Sequence, residues 1–184
     1  MSRSIQQIET TRLILRPFND DDVEEAFHWF GDPLVMRFIP SGPDQSIEQT
    51  RRRVDGYRKH QAEHGFSKWV IIDRESLRLI GDSGLLVLSD YGWIDLGFRI
   101  SREFWGRGFA SEVAFAWVRS AFENHVITEL GAFAHRDNVA AHRVLGRVGF
   151  RETRRGPVMG MESIVFSLAL EGSSGYEREV ERGV

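Results

Sequence analysis

The sequence predicts one mixed α/β domain, a sheet with helices packed on its faces. Three observations carry this. Short apolar runs of strand character alternate with longer stretches of helical spacing, in the order β-α-α-β-β-β-α-β-α-β-β. No linker-like composition interrupts residues 10–170, so residues 1–170 read as a single domain and 171–184 as a flexible charged tail. At 184 residues, with 41% hydrophobic and 28% charged side chains, the chain suits one sizeable core in a soluble protein.

Each element has its own local reason. RLILRPF (12–18) is a strand ended by Pro17. Asn19 or Asp20 then caps a helix whose first turn is acidic, where the helix dipole favours carboxylates. GDPLVMRFIP (31–40) is irregular between prolines, and residues 46–64 form a polar helix anchored by Ile47, Val54 and Tyr57. KWVIID (68–73) and LRLIGDSGLLVL (77–88) are a strand pair joined by a short turn, and WIDLGFRI (93–100) is the next strand. The helix at about 110–123 has Val113, Phe115, Trp117, Val118, Ala121 and Phe122 around most of its circumference, so it is expected to be buried on more than one side. ELGAFAH (129–135) is a strand, and the helix at 138–149 ends at Gly149. Segments 150–155 and 163–170 complete the sheet.

Composition excludes several classes. The net charge of −3 argues against a generic nucleic-acid binder. The lack of cysteine excludes disulfides, Cys-ligated zinc, iron–sulfur clusters and a cysteine acyl-enzyme. MSRSIQQIET has no apolar core for a signal peptide, and no apolar run approaches membrane-spanning length. A soluble cytoplasmic protein without a membrane partner is expected. His60 and His64 stand four apart, but HQAEH lacks the glutamate of H-E-x-x-H and no third ligand is evident. That pair is expected to be a solvated helix end, with no metal site. Arg51, Arg52 and Arg53 read as a wet helix face, or else as a surface for an acidic or phosphate-bearing substrate.

The informative stretch is FWGRGFASEV (104–113). Two glycines stand between a strand and a helix start, where they cost stability unless bare backbone is needed. The first N–H groups of a helix have no internal partner, and the dipole adds positive character. Glycines also let backbone approach a phosphate, so the stretch reads as a phosphate cradle. Arg107 adds charge and Ser111 a hydroxyl. A plain tight turn is the other reading. No Walker Lys-Ser/Thr pair follows, and Gly106, Gly108 and Ser111 lack the third glycine of a dinucleotide fingerprint. A nucleotide-dependent or NAD-dependent enzyme therefore fails on motif spacing.

About 30 residues downstream lies NVAAHRVLGRVGF (138–150). Together with WGRGFASE, and with ETTRLILRPF, DPLVMRFIP, LIGDSGL and IDLGFRI in order before it, this stretch resembles the GNAT superfamily of acetyl-CoA-dependent N-acyltransferases. More closely it resembles the branch that includes the ribosomal-protein N-terminal acetyltransferases (RimJ/RimL-like), over roughly residues 8–170. The family motif Arg/Gln-x-x-Gly-x-Gly/Ala falls on Trp105, Gly106, Arg107, Gly108, Phe109 and Ala110, with Trp105 in place of the leading Arg/Gln. The resemblance implies a twisted, mostly antiparallel sheet splayed at the acyl-CoA site, with helices on both faces. It implies that backbone N–H groups of residues 106–111 hold the coenzyme A pyrophosphate. It also implies that pantetheine pairs with backbone near Phe98 and Ile100 like an added strand. Asn138 matches the asparagine that meets the coenzyme, its other reading being a plain N-cap. Arg143 is a candidate for the adenosine phosphate or a solvated helix arginine.

An amine acceptor arrives as an ammonium and must lose a proton before attacking a thioester. Alternation in IDLGFRI places Ile94, Leu96, Phe98 and Ile100 on one face and Asp95, Gly97 and Arg99 on the other. In this branch a Glu often stands at the Asp95 position, so Asp95 is the candidate base. A solvated carboxylate or a partner of Arg99 is the other reading. His135 is an alternative base. Ala141 and Leu145 replace the serine and tyrosine of other family members, leaving no evident acid. Trp29, Phe30, Met36, Phe38 and Trp93 line an acceptor pocket or belong to the core. The expected function is acetyl transfer from acetyl-CoA to a primary amine, a protein N-terminus or a small molecule, by direct attack in a ternary complex. The rival is a non-catalytic acyl-CoA-binding sensor or scaffold. A homodimer is left open.

Overall fold

The computed structural model describes residues 6–124 and 127–170. The tail expected at 171–184 lies outside the described residues. The elements are β1 (Ile8–Glu9), β2 (Leu13–Pro17), α1 (Val23–Phe30), α2 (Ile47–His64), β3 (Lys68–Asp73), β4 (Leu79–Leu88), β5 (Trp93–Ile100), α3 (Phe109–Asn124), β6 (Glu129–His135), α4 (Val139–Val148), β7 (Arg151–Val158) and β8 (Met161–Ala169). The strands form one sheet in the order β1-β2-β3-β4-β5-β6-β8-β7. Every neighbouring pair is antiparallel except β5 and β6.

Local chemistry sets the boundaries. The Asn19 side chain accepts from the Asp21 and Asp22 N–H groups, Asp22 reciprocates, and a single 3₁₀ turn leads into α1. Ser46 caps α2, which ends at Gly65 in the left-handed region (φ 79°). The β4 strand starts two residues later than expected because Leu77 (φ 58°) still belongs to the preceding turn. The β1 strand was not foreseen, since two residues are too few to show alternation.

Alternation along the sheet builds two cores. Val70 points to α1 and α2, joining Phe18, Val23, Trp29, Phe30, Met36 and Val54. Trp69 and Ile71 point the other way, with Leu13, Leu85, Leu96 and the α3 residues Val113 and Trp117. Trp69 and Trp117 meet edge to face with centroids 5.0 Å apart. The α3 helix buries a broad face rather than its whole circumference, for Phe115 stays 48% exposed.

His60 corrects the expectation of a solvated helix end. Its Nδ1 donates to the Phe66 carbonyl (2.8 Å), and its Nε2 accepts from the Val87 N–H (3.0 Å). The ring thus ties α2 to the strand ladder just past the start of β3. Both nitrogens are engaged only in the neutral form, and burial, opposed by the Phe66 bond, holds its pKa below the ordinary value. Among the described residues no cluster of three or more metal-ligating side chains occurs. Because the folded-state pKa is depressed, this contribution to stability is present above the unfolded value of about 6.5 and is lost as pH falls through the folded one. His60→Ala is expected to cost about 1–3 kcal/mol above the imidazole range by removing the acceptor of the Val87 N–H and the bond to the Phe66 carbonyl. In thermal unfolding its deficit against the parent protein should shrink on acidification.

Candidate functional site

The site begins where two strands part. The parallel strands β5 and β6 share one partner pair, Asp95 with Gly131. Leu85 N–H bonds Ser67 and Ser101 N–H bonds Ile80, which fixes the ladder alternation. The N–H and C=O groups of Ile94, Leu96, Phe98 and Ile100 therefore face β6. Beyond Asp95 the strands diverge, so the groups of Phe98 and Ile100 face a gap. The Ile100 carbonyl is already engaged, accepting from the Trp105 indole N–H at 2.7 Å.

The glycine loop lies just past the β5 end of this gap. Gly106 (φ 76°) and Gly108 (φ 81°) are both left-handed, so the loop needs glycine for its conformation as well as for access. A Cβ at Gly106 would meet nothing within 4 Å, and one at Gly108 only Arg12 Nη2 at 3.6 Å. The N–H groups of Phe109, Ala110 and Ser111 precede the first intrahelical bond of α3, from Glu112 N–H to the Gly108 carbonyl. Phe109 is buried and anchors this turn, while Ala110 is half-buried. Arg107 is exposed, its guanidinium 5.0 Å from the centroid of the Phe104 ring.

The cradle has a buttress that sequence reasoning missed. Glu112 accepts from Thr10 Oγ1 (2.6 Å), Arg12 N–H (2.9 Å) and Arg12 Nε (2.7 Å). Arg12 in turn donates to the Arg107 carbonyl at 2.9 Å. The N-terminal strand is thereby clamped to the loop. Ser111 is buried, and its hydroxyl accepts from Arg147 of α4 at 3.1 Å. Arg147, rather than the exposed Arg143, is the α4 arginine brought to the start of α3.

Asp95 stands at the apex of the fork. Only 7% of it is exposed, so it is not a solvated carboxylate. Its Oδ1 lies 3.4 Å from the Trp93 indole nitrogen, and the Trp93 ring lies flat where a Cβ on Gly131 would fall. Burial raises its pKa well above the usual carboxylate range, against the opposing pull of Lys68, Trp93 and the Phe133 N–H. Arg99 is not its partner. Arg99 forks onto Asp82, with Nε–Oδ1 at 2.9 Å, and also donates to Tyr57 Oη at 2.8 Å. Trp29 Nε1 donates to the same Asp82 at 3.0 Å. Burial opposes the Arg99 charge, yet Asp82 and Tyr57 hold its pKa above the ordinary value.

Comparison with known proteins decides the family. The model for the "Acetyltransferase (GNAT) domain" matches residues 12–151. The chain belongs to the GNAT family. It is 33% identical over 146 residues to the uncharacterized N-acetyltransferase YoaA of Bacillus subtilis (strain 168), covering 79% of this chain and 82% of YoaA. An acetyltransferase from Agrobacterium tumefaciens str. C58 superposes with a TM-score of 0.80 at 23% identity, over 92% of this chain and 98% of that one. RimL, a ribosomal L7/L12 alpha-N-protein acetyltransferase solved with coenzyme A, superposes with a TM-score of 0.73 at 18% identity, over 89% of this chain and 98% of RimL. These two likenesses show the shared fold.

Within this GNAT fold the remaining sequence candidates fall unevenly. His135 Nδ1 accepts from the Asp137 N–H (3.1 Å), so the neutral ring carries its proton on Nε2. The ring stacks on Phe38 with centroids 5.0 Å apart, which places Phe38 beside the end of β6. Asn138 is the N-cap of α4, its Oδ1 accepting from Ala141 N–H at 3.2 Å. Leu145 is buried in the core. Trp29, Phe30 and Met36 are core residues as well, while Trp93 sits beside Asp95. Arg53 is no wet arginine, for it pairs with the buried Asp44 at 2.5 Å. Asp82→Ala would strand the buried Arg99 without its carboxylate. Denaturant unfolding should show a loss of about 3–5 kcal/mol, far beyond what a surface ion pair costs.

Proposed function

We propose that this GNAT protein is an N-acetyltransferase moving acetyl from acetyl-CoA to a primary amine. The observation that carries the proposal is the fork itself. A buried carboxyl, Asp95, stands where β5 leaves β6, and the exposed left-handed glycine loop opens into α3 at the other end of the same strand.

The division of labour follows from that geometry. Backbone N–H groups of residues 106–111 suit a pyrophosphate, with Arg107 adding charge and Arg147 standing one side chain away at Ser111. The strand edge at Phe98 and the N–H of Ile100 suit an extended amide-bearing arm such as pantetheine. Asn138 keeps its side-chain NH₂ for a ligand while its oxygen caps α4. The acceptor amine loses its proton to Asp95, directly or through one water, and attacks the thioester carbonyl. A C–N bond forms, the C–S bond breaks, and the thiolate leaves. With a thiol pKa of about 8.5, that leaving group needs little help from an acid, which fits Ala141 and the buried Leu145. With no cysteine, direct attack in a ternary complex is preferred to a cysteine-borne acyl-enzyme. The acceptor class favoured by the sequence resemblance is a protein N-terminus, with small amines as the alternative.

One experiment tests the reading. Thiol release from acetyl-CoA is followed with a thiol-reactive dye across N-terminal peptides, polyamines, amino acids and aminoglycosides, beside calorimetric binding of coenzyme A. Turnover with any of these is expected. Tight coenzyme binding with silence across the panel would instead favour the sensor or scaffold reading, for which the missing acid at Ala141 and Leu145 speaks. Asp95→Asn should leave coenzyme affinity unchanged and remove the acid-side limb of the pH–rate profile. That limb should lie above the free carboxylate value of about 4, because a raised pKa delays ionisation until higher pH. Equal rates in the two proteins would remove Asp95 as base.

A further inference from the structure

One buried group in this site has no role in the scheme above. Lys68, at the start of β3, is 6% exposed. Its strand neighbours in register are Gly84 on β4 and, beyond that, Gly97 on β5. Two glycines side by side leave a bare track across the sheet, and the Lys68 side chain lies along it. Its Nζ donates to the Gly84 carbonyl at 2.9 Å. The point where a Cβ on Gly97 would stand is 2.4 Å from Lys68 Nζ and 3.7 Å from Asp95 Oδ2. The ammonium and the carboxyl therefore approach one notch from opposite sides. They do not form a contact ion pair within 4.0 Å.

Two further charges of opposite sign act on Lys68. Arg99 from β5 and Asp82 from β4 face it, but they bond each other and Tyr57 of α2. His60 of α2 is held neutral between Phe66 and Val87. The Lys68 stem also lines a pocket of about 230 Å³ with Phe18, Tyr57, Arg58, Gln61 and Trp69. Arg58 itself pairs with Asp20 at 2.5 Å. An ammonium enclosed this way costs stability, and burial pulls its pKa below the ordinary lysine value.

Resting on the reading of Asp95 as base, we propose that Lys68 is a positioning residue for the reaction. Its ammonium, laid over Gly84 and lodged in the notch of Gly97, holds Asp95 in the ionised, proton-accepting form inside a dry fork. Lys68 touches neither substrate in this scheme. It acts through Asp95, by Coulombic attraction across the gap between them.

The test is the pH profile of kcat/KM for thiol release in the parent protein, Lys68→Met, Gly97→Ala and Asp95→Asn. Loss of a cation at this range should move the acid-side limb of Lys68→Met to higher pH by about one unit or more. Calorimetric coenzyme affinity should stay the same. Gly97→Ala keeps the lysine but displaces its tip, so its limb should move in the same direction. A limb that vanishes in Asp95→Asn yet stays in place in both Lys68→Met and Gly97→Ala would overturn the role of Lys68 while leaving Asp95 as base. A limb that survives Asp95→Asn would overturn the base reading, and this inference with it. If Lys68→Met is not recovered folded, Gly97→Ala decides alone by the same criterion.

Discussion

The parting of β5 from β6 is the constraint around which this molecule is built. Parallel neighbours need a crossover, and α3 supplies it between these strands. Pairing begins at Asp95 and Gly131 and goes no further along the ladder. Gly131 is required there because the Trp93 ring occupies the space of a Cβ. Past the fork, β5 keeps its register with β4 but turns the other edge of its backbone to the gap. Everything assigned to the site hangs on this one edge. Asp95 stands at its start, Phe98 and Ile100 line it, and the glycine loop follows its end.

The polar face of the sheet shows what keeping such a fork costs. Asp82, Arg99, Lys68 and Asp95 are all withdrawn from water between the sheet and helices α1 and α2. Removing ions from water is expensive, and their attraction returns the loss only where hydrogen bonds complete each group. Arg99 and Asp82 meet that condition, with Trp29 and Tyr57 filling the remaining sites. Lys68 and Asp95 are less fully bonded, for the lysine has a single carbonyl and the aspartate a long indole contact and the Phe133 N–H. One pair on this face is thus built for structure. The other is less fully bonded and stands where β5 leaves β6.

Much of this was legible in the sequence. Alternation in WIDLGFRI put Asp95, Gly97 and Arg99 on one face, and the β4–β5 register keeps them there. The glycines at 106 and 108 marked a special backbone, though their left-handed φ values add a conformational demand that the string alone did not state. The remainder depended on register, which no local pattern reveals. Lys68 reads as an ordinary polar strand start until pairing sets it beside Gly84 and Gly97. A signal was present even so, since glycine in a strand interior marks close approach, and IGDSG carries two and DLGF one. That Arg147 reaches Ser111 at the start of α3 depends on how α4 packs against α3. His60 looked solvated because its two partners, Phe66 just before β3 and Val87 on β4, lie outside anything the helix pattern can place.

The clamp of Thr10 and Arg12 on Glu112 joins these observations into one mechanical unit. It fixes the glycine loop to the turn before β2, while β2 pairs along β3, the strand that carries Lys68. The β3 strand pairs with β4, and β4 with β5 back to the fork. A closed circuit of hydrogen bonds therefore runs from the loop, through the N-terminal strands, to Asp95 and along β5 to the loop again. Movement of the loop relative to Asp95 would have to break that circuit at a buried strand or at a carboxylate held by three hydrogen bonds. Both are costly, so the two ends of the site are held at a fixed separation by the sheet rather than by the flexible segments around it.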